Sequence, residues 1–341
     1  MRVLIVKLSA LGDVVQSLPV AMAIHTQRPD AQVDWLVEKP SAPLLSGHPA
    51  LNRILVSPRH EITQGDGNIF TALTGFGREL RSVTYDAVLD LQGLMKSAML
   101  VALCKAERKI GFKGGKEPLA AWPLNERLDP YDPDRHALER YLDLLEPLGL
   151  MRPAHPQFGL EPSEDALARV DQLVGQRVQG EPLVVLHPVA KWESKLWPLA
   201  HWAELARGLF GLGLRLVLSG SKDDRSVTRA IASAAGVDII DLAGRMSLHD
   251  LTALLDRADL LVSTDTGVMH LGAAMGCQVV ALFGPTAHWR TGPYGQGHRV
   301  VRLDMNCAPC FKRECDDPRC LGELIPELVL AQARDALARQ S

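Results

Sequence analysis

Several short segments of this chain carry residues whose types and spacing could do chemistry. Lys7-Leu8-Ser9-Ala10-Leu11-Gly12-Asp13 runs from an apolar stretch into a glycine-containing turn ahead of an amphipathic segment. A carboxylate at that place can take the proton of an attacking hydroxyl as a general base; it can equally cap the helix that follows. Ser263-Thr264-Asp265-Thr266-Gly267-Val268-Met269-His270 follows the apolar run Asp259–Val262 and opens another helix. Free amides at a helix start favour a phosphate, and Gly267 lets the backbone approach closely, so this segment has the form of a diphosphate site. His270, one turn further on, either donates to a phosphate oxygen or fills a core contact.

A third segment joins His187-Pro188 to Lys191 and Lys195-Leu196-Trp197-Pro198. A lysine here could neutralise charge building on a departing diphosphate; the other reading is solvated loop lysines, which is the expectation for Lys191. Phe283-Gly284-Pro285-Thr286 reads as turn chemistry. Asp132-Pro133-Asp134 has the form of a metal-binding Asp-x-Asp, but its proline-rich setting before a helix predicts Asp134 as an N-cap, and no catalytic metal is inferred. Neither a Walker-type glycine loop nor a G-x-G-x-x-G after a strand is present, so the fingerprints of phosphate-loop kinases and nicotinamide enzymes are missing.

Cys104 and Cys277 stand alone in apolar segments, as reduced thiols do, while Cys307, Cys310, Cys315 and Cys320 crowd together. Four thiolates suit tetrahedral zinc, or iron, in a closed structural site. Free or disulfide-bonded thiols are the other reading, because the spacing is not a standard zinc pattern.

The elements that must hold these residues alternate between β-branched apolar runs and amphipathic stretches, as in a doubly wound α/β sheet. Expected strands in the first half are Val3–Lys7, Gln32–Val37, Arg53–Val56, Ala87–Asp90 and Arg108–Gly111, with helices such as Val14–His25 and His136–Leu148. The pattern restarts with Leu183–His187, Leu214–Gly220, Asp238–Asp241, Leu260–Ser263 and Val279–Phe283. Between the halves, the prolines of Met151–Glu181 and the charged helix Ser163–Val174 read as a linker. The expected organisation is one domain over 1–160, a second over 161–324 that includes the 307–320 cysteines, and a last helix, Ile325–Leu337 within 325–341, packing back on the first domain.

With 341 residues, 47% hydrophobic and 23% charged, the chain can fill two cores of ordinary size. A net charge of −3 and scattered cations argue against a nucleic-acid partner. The N-terminus, broken by Lys7 and Asp13, reads as a buried strand and not as an export signal. No apolar run reaches the roughly 20 residues of a membrane span, and helix Val14–His25 shows no extra apolar face for anchoring. A soluble or at most peripheral protein is expected.

In their order, VLIVKLSALGDVVQSLP, VDWLVE, YDAVLDLQGLMKSA, EPLA, HALER, LHP, KLWP, AGRMSL, DTGVMHLGAAM and FGPT resemble the lipopolysaccharide heptosyltransferases of glycosyltransferase family nine, most of all the type I group, over nearly the whole chain. The resemblance implies two Rossmann-like domains of the GT-B kind, the first binding acceptor and the second nucleotide sugar. It implies an inverting transfer of heptose from ADP-L-glycero-β-D-manno-heptose to the inner Kdo of the lipopolysaccharide core, in the cytoplasm at the inner membrane.

Carried over, Asp13 matches the catalytic base; Lys195, Met246, Asp265, Thr266, Gly267 and His270 match the donor site, and Arg59, His60, Lys116 and Arg140 the acceptor side. The chain departs from the pattern near residue 60, where only Arg59 and His60 stand for several arginines, and at Lys116, where arginine is expected. Lysine lacks the bidentate fork of arginine. A family member with another acceptor, a heptose or a protein hydroxyl, or with another nucleotide sugar therefore stays open, as does a non-catalytic nucleotide-sugar-binding protein.

Overall fold

The computed structural model describes residues 1–58, 69–175 and 181–338, the side chains of 69–73 excepted. The chain divides into two compact units, Met1–Gly159 and Leu160–Ser341, each built on a six-stranded sheet. Every strand pair is parallel.

In the first unit the strands are β1 (Arg2–Val6), β2 (Gln32–Glu38), β3 (Arg53–Ser57), β4 (Thr84–Asp90), β5 (Lys105–Phe112) and β6 (Glu126–Leu128), in the order β3-β2-β1-β4-β5-β6. Val3, Leu4, Ile5 and Val6 are all fully buried, as a central parallel strand covered on both faces requires. The helices that concern the site are α1 (Leu11–Gln27), α2 (Ile69–Arg81), α3 (Met95–Leu103) and α4 (Ala137–Leu142).

The second unit repeats the topology. Its strands are β7 (Leu183–His187), β8 (Arg215–Leu218), β9 (Ile240–Asp241), β10 (Leu260–Thr264), β11 (Gln278–Leu282) and β12 (Arg299–Val301), in the order β12-β11-β10-β7-β8-β9. Its helices of eight or more residues are α5 (Glu164–Val174), α6 (Leu199–Phe210), α7 (Arg225–Ala235), α8 (Leu248–Arg257), α9 (Gly267–Ala274) and α10 (Pro326–Ala338). Caps fix where some begin: the Ser163 hydroxyl accepts from Ala166 N at 3.2 Å, and Ser247 and Asp250 cap α8 reciprocally. In each sheet the strand order reverses once, between β1 and β4 and between β7 and β10, and ligands of such sheets bind outside the carboxyl ends at that point.

Several expectations are corrected. The expected helix His136–Leu148 breaks after Leu142 into a 3-10 turn, Asp143–Leu148, because Pro147 has no N–H to donate and its ring crowds the preceding turn. His136, not Asp134, caps α4, its ring accepting from Leu138 N at 3.3 Å, while the Asp134 amide donates to Asp132. The last helix buries Val329, Ala333 and Ala336 in the core of the second unit with Trp202, Leu205 and Leu209, and the Trp197 indole donates to Leu324 O at 2.8 Å. Those residues share one helical stripe, which the helix presents to the core of the second unit.

Candidate active site

At the reversal point of the first sheet, the ends of β1 and β4 are stitched together by side chains. Gln92 Oε1 accepts from Leu8 N and Ser9 N at 3.0 and 3.1 Å. Asp90 accepts from Gln92 N, Gly93 N and Ser97 Oγ, and burial raises its pKa. Lys7, 3% exposed, donates to Leu91 O at 3.1 Å and to the Tyr141 hydroxyl at 2.7 Å. Burial lowers the Lys7 pKa, and attraction to Asp13 and Asp90 opposes that shift.

Asp13 lies on the first turn of α1, three residues after the N-cap residue Ala10. Its Oδ2 accepts from Ala10 N at 3.2 Å, a capping contact, while its Oδ1 accepts from the Tyr141 hydroxyl at 3.1 Å. The Lys7 ammonium stands 4.0 Å from Oδ1. Burial and the Asp13 charge hold Tyr141 well above its ordinary pKa, so its hydroxyl stays a donor.

These groups line a cavity of about 260 Å³ together with Gly93, Lys116, Tyr131 and Arg140. The Arg140 guanidinium lies 4.4 Å from the centre of the Tyr131 ring, and its buried Nε has no hydrogen-bond partner among the described residues. Lys116 is exposed at the rim. Arg59 and His60, expected on the same side, lie outside the described residues.

At the corresponding point of the second sheet, Thr266 caps α9 with extended backbone, and the helix opens at Gly267 beyond the end of β10. The buried Asp265 carboxylate is shared: Oδ2 pairs with Lys195 Nζ at 2.6 Å and accepts from Thr286 Oγ1 at 2.6 Å. Lys195 also lies over the Trp192 ring, 4.5 Å from its centre. The three loops after β7, β10 and β11 thus meet at one carboxylate. Lys191 is exposed, His270 is buried within α9, and Met246 is half-buried ahead of α8. A cavity of about 450 Å³ lies beside the Lys195 turn, lined by Pro188, Val189, Trp197 and Asp224 among others.

Sequence reasoning passed over Tyr141, which holds Asp13, and gave no role to Lys7, which holds Tyr141, or to Thr286, which holds Asp265. Tyr141 follows Arg140 directly, but nothing in its spacing marks it as a partner of a carboxylate 128 positions away.

The four clustered cysteines form no disulfide among the described residues. Among the described residues, no group of three or more His, Cys, Asp or Glu side chains is arranged to hold a metal ion. Cys307 and Cys315 are exposed and Cys310 and Cys320 half-exposed. Burial, and then the neighbouring thiols, raise the Cys320 pKa. Backbone contacts hold the loop: Cys310 N and Phe311 N donate to Pro285 O at 3.0 and 2.8 Å, and Ser194 N donates to Arg313 O at 3.1 Å. The loop therefore clasps the turn that carries Lys195 and the turn that carries Thr286.

Two Rossmann-like units, each with polar side chains gathered at the carboxyl edge of a parallel sheet, have the GT-B fold of glycosyltransferases. The chain belongs to glycosyltransferase family 9, the heptosyltransferases, whose model matches residues 73–320, and it is a glycosyltransferase. It is 35% identical to lipopolysaccharide heptosyltransferase 1 of Salmonella typhimurium over 91% of this chain and 95% of that one. It is 33% identical to lipopolysaccharide heptosyltransferase 1 of Pseudomonas aeruginosa over 97% of each. The structure of the E. coli heptosyltransferase WaaC with ADP superposes with a TM-score of 0.82 at 28% identity, covering 98% of this chain and 100% of that one. The same enzyme with ADP-2-deoxy-2-fluoro heptose gives 0.78 at 27% identity, covering 100% of both chains.

Proposed function

We propose that this chain transfers heptose from ADP-L-glycero-β-D-manno-heptose to the inner Kdo sugar of the lipopolysaccharide core, with inversion and without a metal, in the cytoplasm as a peripheral protein of the inner membrane. The observation that carries the reading is the cavity lined by both Asp13 and Arg140, whose guanidinium has an Nε without a hydrogen-bond partner among the described residues. A base and a guanidinium in one polar pocket suit an acceptor that has a hydroxyl to deprotonate and a carboxylate to bind, as Kdo has.

In this reading the first unit takes the acceptor. Asp13 Oδ1 removes the proton of the attacking hydroxyl as the new glycosidic bond forms at the anomeric carbon and the bond to ADP breaks. Tyr141 and Lys7 keep that carboxylate aimed, and Arg140 and Lys116, with Arg59 and His60, receive the acidic acceptor. The second unit takes the donor. Lys195 and the amides of Thr266 and Gly267 meet the charge on the leaving diphosphate, so the residues present can do the work a metal does in other sugar transferases. Asp265 positions Lys195, while Met246 and His270 complete the donor side. ADP-bound and ADP-heptose-analogue-bound structures of the E. coli relative support the choice of donor.

Lys116, a point charge where a fork would grip a carboxylate better, favours a second reading in which the acceptor is a heptose or a protein hydroxyl. The test is incubation of purified protein with ADP-heptose and Kdo₂-lipid A followed by mass spectrometry. A product one heptose heavier, absent with Asp13→Ala, supports the main reading. Tight ADP-heptose binding with no product moves the search to the second.

A further inference from the structure

Helix α3 leaves an apolar stripe open to solvent. Met95, Met99 and Leu103 recur every fourth residue along one side, with Met99 61% exposed, while Ser97, Ala98 and Val101 face inward and are buried. The 3-10 turn Pro118–Ala121 packs on this helix, burying Ala120 and Ala121 and presenting Leu119, 78% exposed, and Trp122, 55% exposed. Single exposed apolar side chains need no account, but a helix side and its adjoining turn of Met, Leu and Trp mark a contact surface.

The charge around the stripe selects what covers it. No acid lies within α3. At its end, Arg81 donates to Leu103 O and Lys109 to Ala102 O, Lys105 follows exposed, and Lys116 stands exposed before the turn. Among the nearby acids, Glu107 follows Lys105, Glu38 pairs with Lys96 of α3 at 3.0 Å, and the Glu117 carboxylate accepts from the Met95 amide at 2.6 Å. A twofold contact between two copies would set this cationic rim against itself. Anionic headgroups complement it, and Trp and Met suit the boundary between headgroups and acyl chains.

The same elements also line the cavity holding Asp13, through Leu94, Lys116, Glu117, Ala120 and Ala121. We infer that the face formed by Met95, Met99, Leu103, Leu119 and Trp122 docks this protein on an anionic lipid bilayer, setting the mouth of the acceptor cavity beside the membrane surface. The inference rests on the proposed lipid-linked acceptor for its purpose, but its test does not require transfer.

The full chain is mixed with phosphatidylcholine vesicles with or without phosphatidylglycerol, and bound protein is read by flotation. Binding to the anionic vesicles, weakened by salt, is expected. Met99→Glu, Leu119→Glu and Trp122→Glu together lower the partition coefficient by about tenfold or more, and Lys105→Glu by roughly fivefold, with thermal melting and ADP binding unchanged. Equal binding by variant and wild type overturns the inference, as does absence of wild-type binding. A wild-type dimer that the triple variant converts to monomer, with no vesicle binding, overturns it in favour of self-association. Turnover of a delipidated, water-soluble acceptor, assayed separately, tells failure of docking from failure of the proposed reaction.

Discussion

The Tyr141 hydroxyl donates to Asp13 Oδ1 at 3.1 Å while receiving a hydrogen bond from the Lys7 ammonium at 2.7 Å, so a buried cation reaches the carboxylate through one phenol. Oδ2 is meanwhile held by the Ala10 amide, which leaves the carboxylate a single orientation.

Removing the phenol should loosen that orientation without removing the base. A hydrogen bond to a charged group is worth about 1.5–3 kcal/mol, so Tyr141→Phe should lower kcat by roughly tenfold to a hundredfold with donor KM unchanged. Asp13→Ala should cost about 10²–10⁴-fold while ADP still binds. A Tyr141→Phe enzyme with wild-type kcat in steady-state assays would falsify the positioning role.

The Lys195–Asp265 pair predicts a split between stability and donor binding. Both side chains are largely buried, so Lys195→Met leaves a buried carboxylate unpaired and should destabilise the protein by about 3–5 kcal/mol. Adding Asp265→Asn should recover most of that loss in denaturant melts. Calorimetry should still show ADP affinity reduced by roughly tenfold or more, since a charge-assisted contact is gone.

Acid should destabilise the second unit through His187. Its ring is fully buried beside Ser219 Oγ at 2.9 Å, and burial pushes its pKa down to about 4, against an opposing pull from Asp224. The unfolded chain protonates near pH 6.5 and the folded one only near 4, so the unfolded state holds more protons between those values. The stabilisation is complete above pH about 6.5 and is lost as pH falls through about 4, a change of about 3 kcal/mol. Melting curves across this range should show a shallower acid slope for His187→Asn than for wild type.

Thiol chemistry should divide the cysteines in two. Burial raises Cys104 and Cys277 to about 12, whereas Cys307 and Cys315 are exposed. A native-state titration with a disulfide reagent should modify the loop thiols first and the two buried ones only after denaturation. Metal analysis of untagged protein decides between the two readings of that loop: well under one equivalent of zinc or iron, with the loop thiols titrating, means free thiols, and a full equivalent, with the loop thiols silent, means a structural metal site.

The periodicity of the sequence determined the two parallel sheets and nearly every strand, because a strand buried on both faces reads as an unbroken β-branched run. It missed β6 and β12, which are three residues long and carry Arg127 and Arg299. Strand-then-turn placement also marked Asp13 and the Asp265–Gly267 helix start, since a parallel sheet sends those turns to its ligand edge. Partnership was decided only by the tertiary structure. That Tyr141 aims Asp13, that Thr286 and Lys195 meet on Asp265, and that Val329, Ala333 and Ala336 belong to the second unit's core all depend on strand order and helix packing, which bring together positions whose separation along the chain carries no period to read.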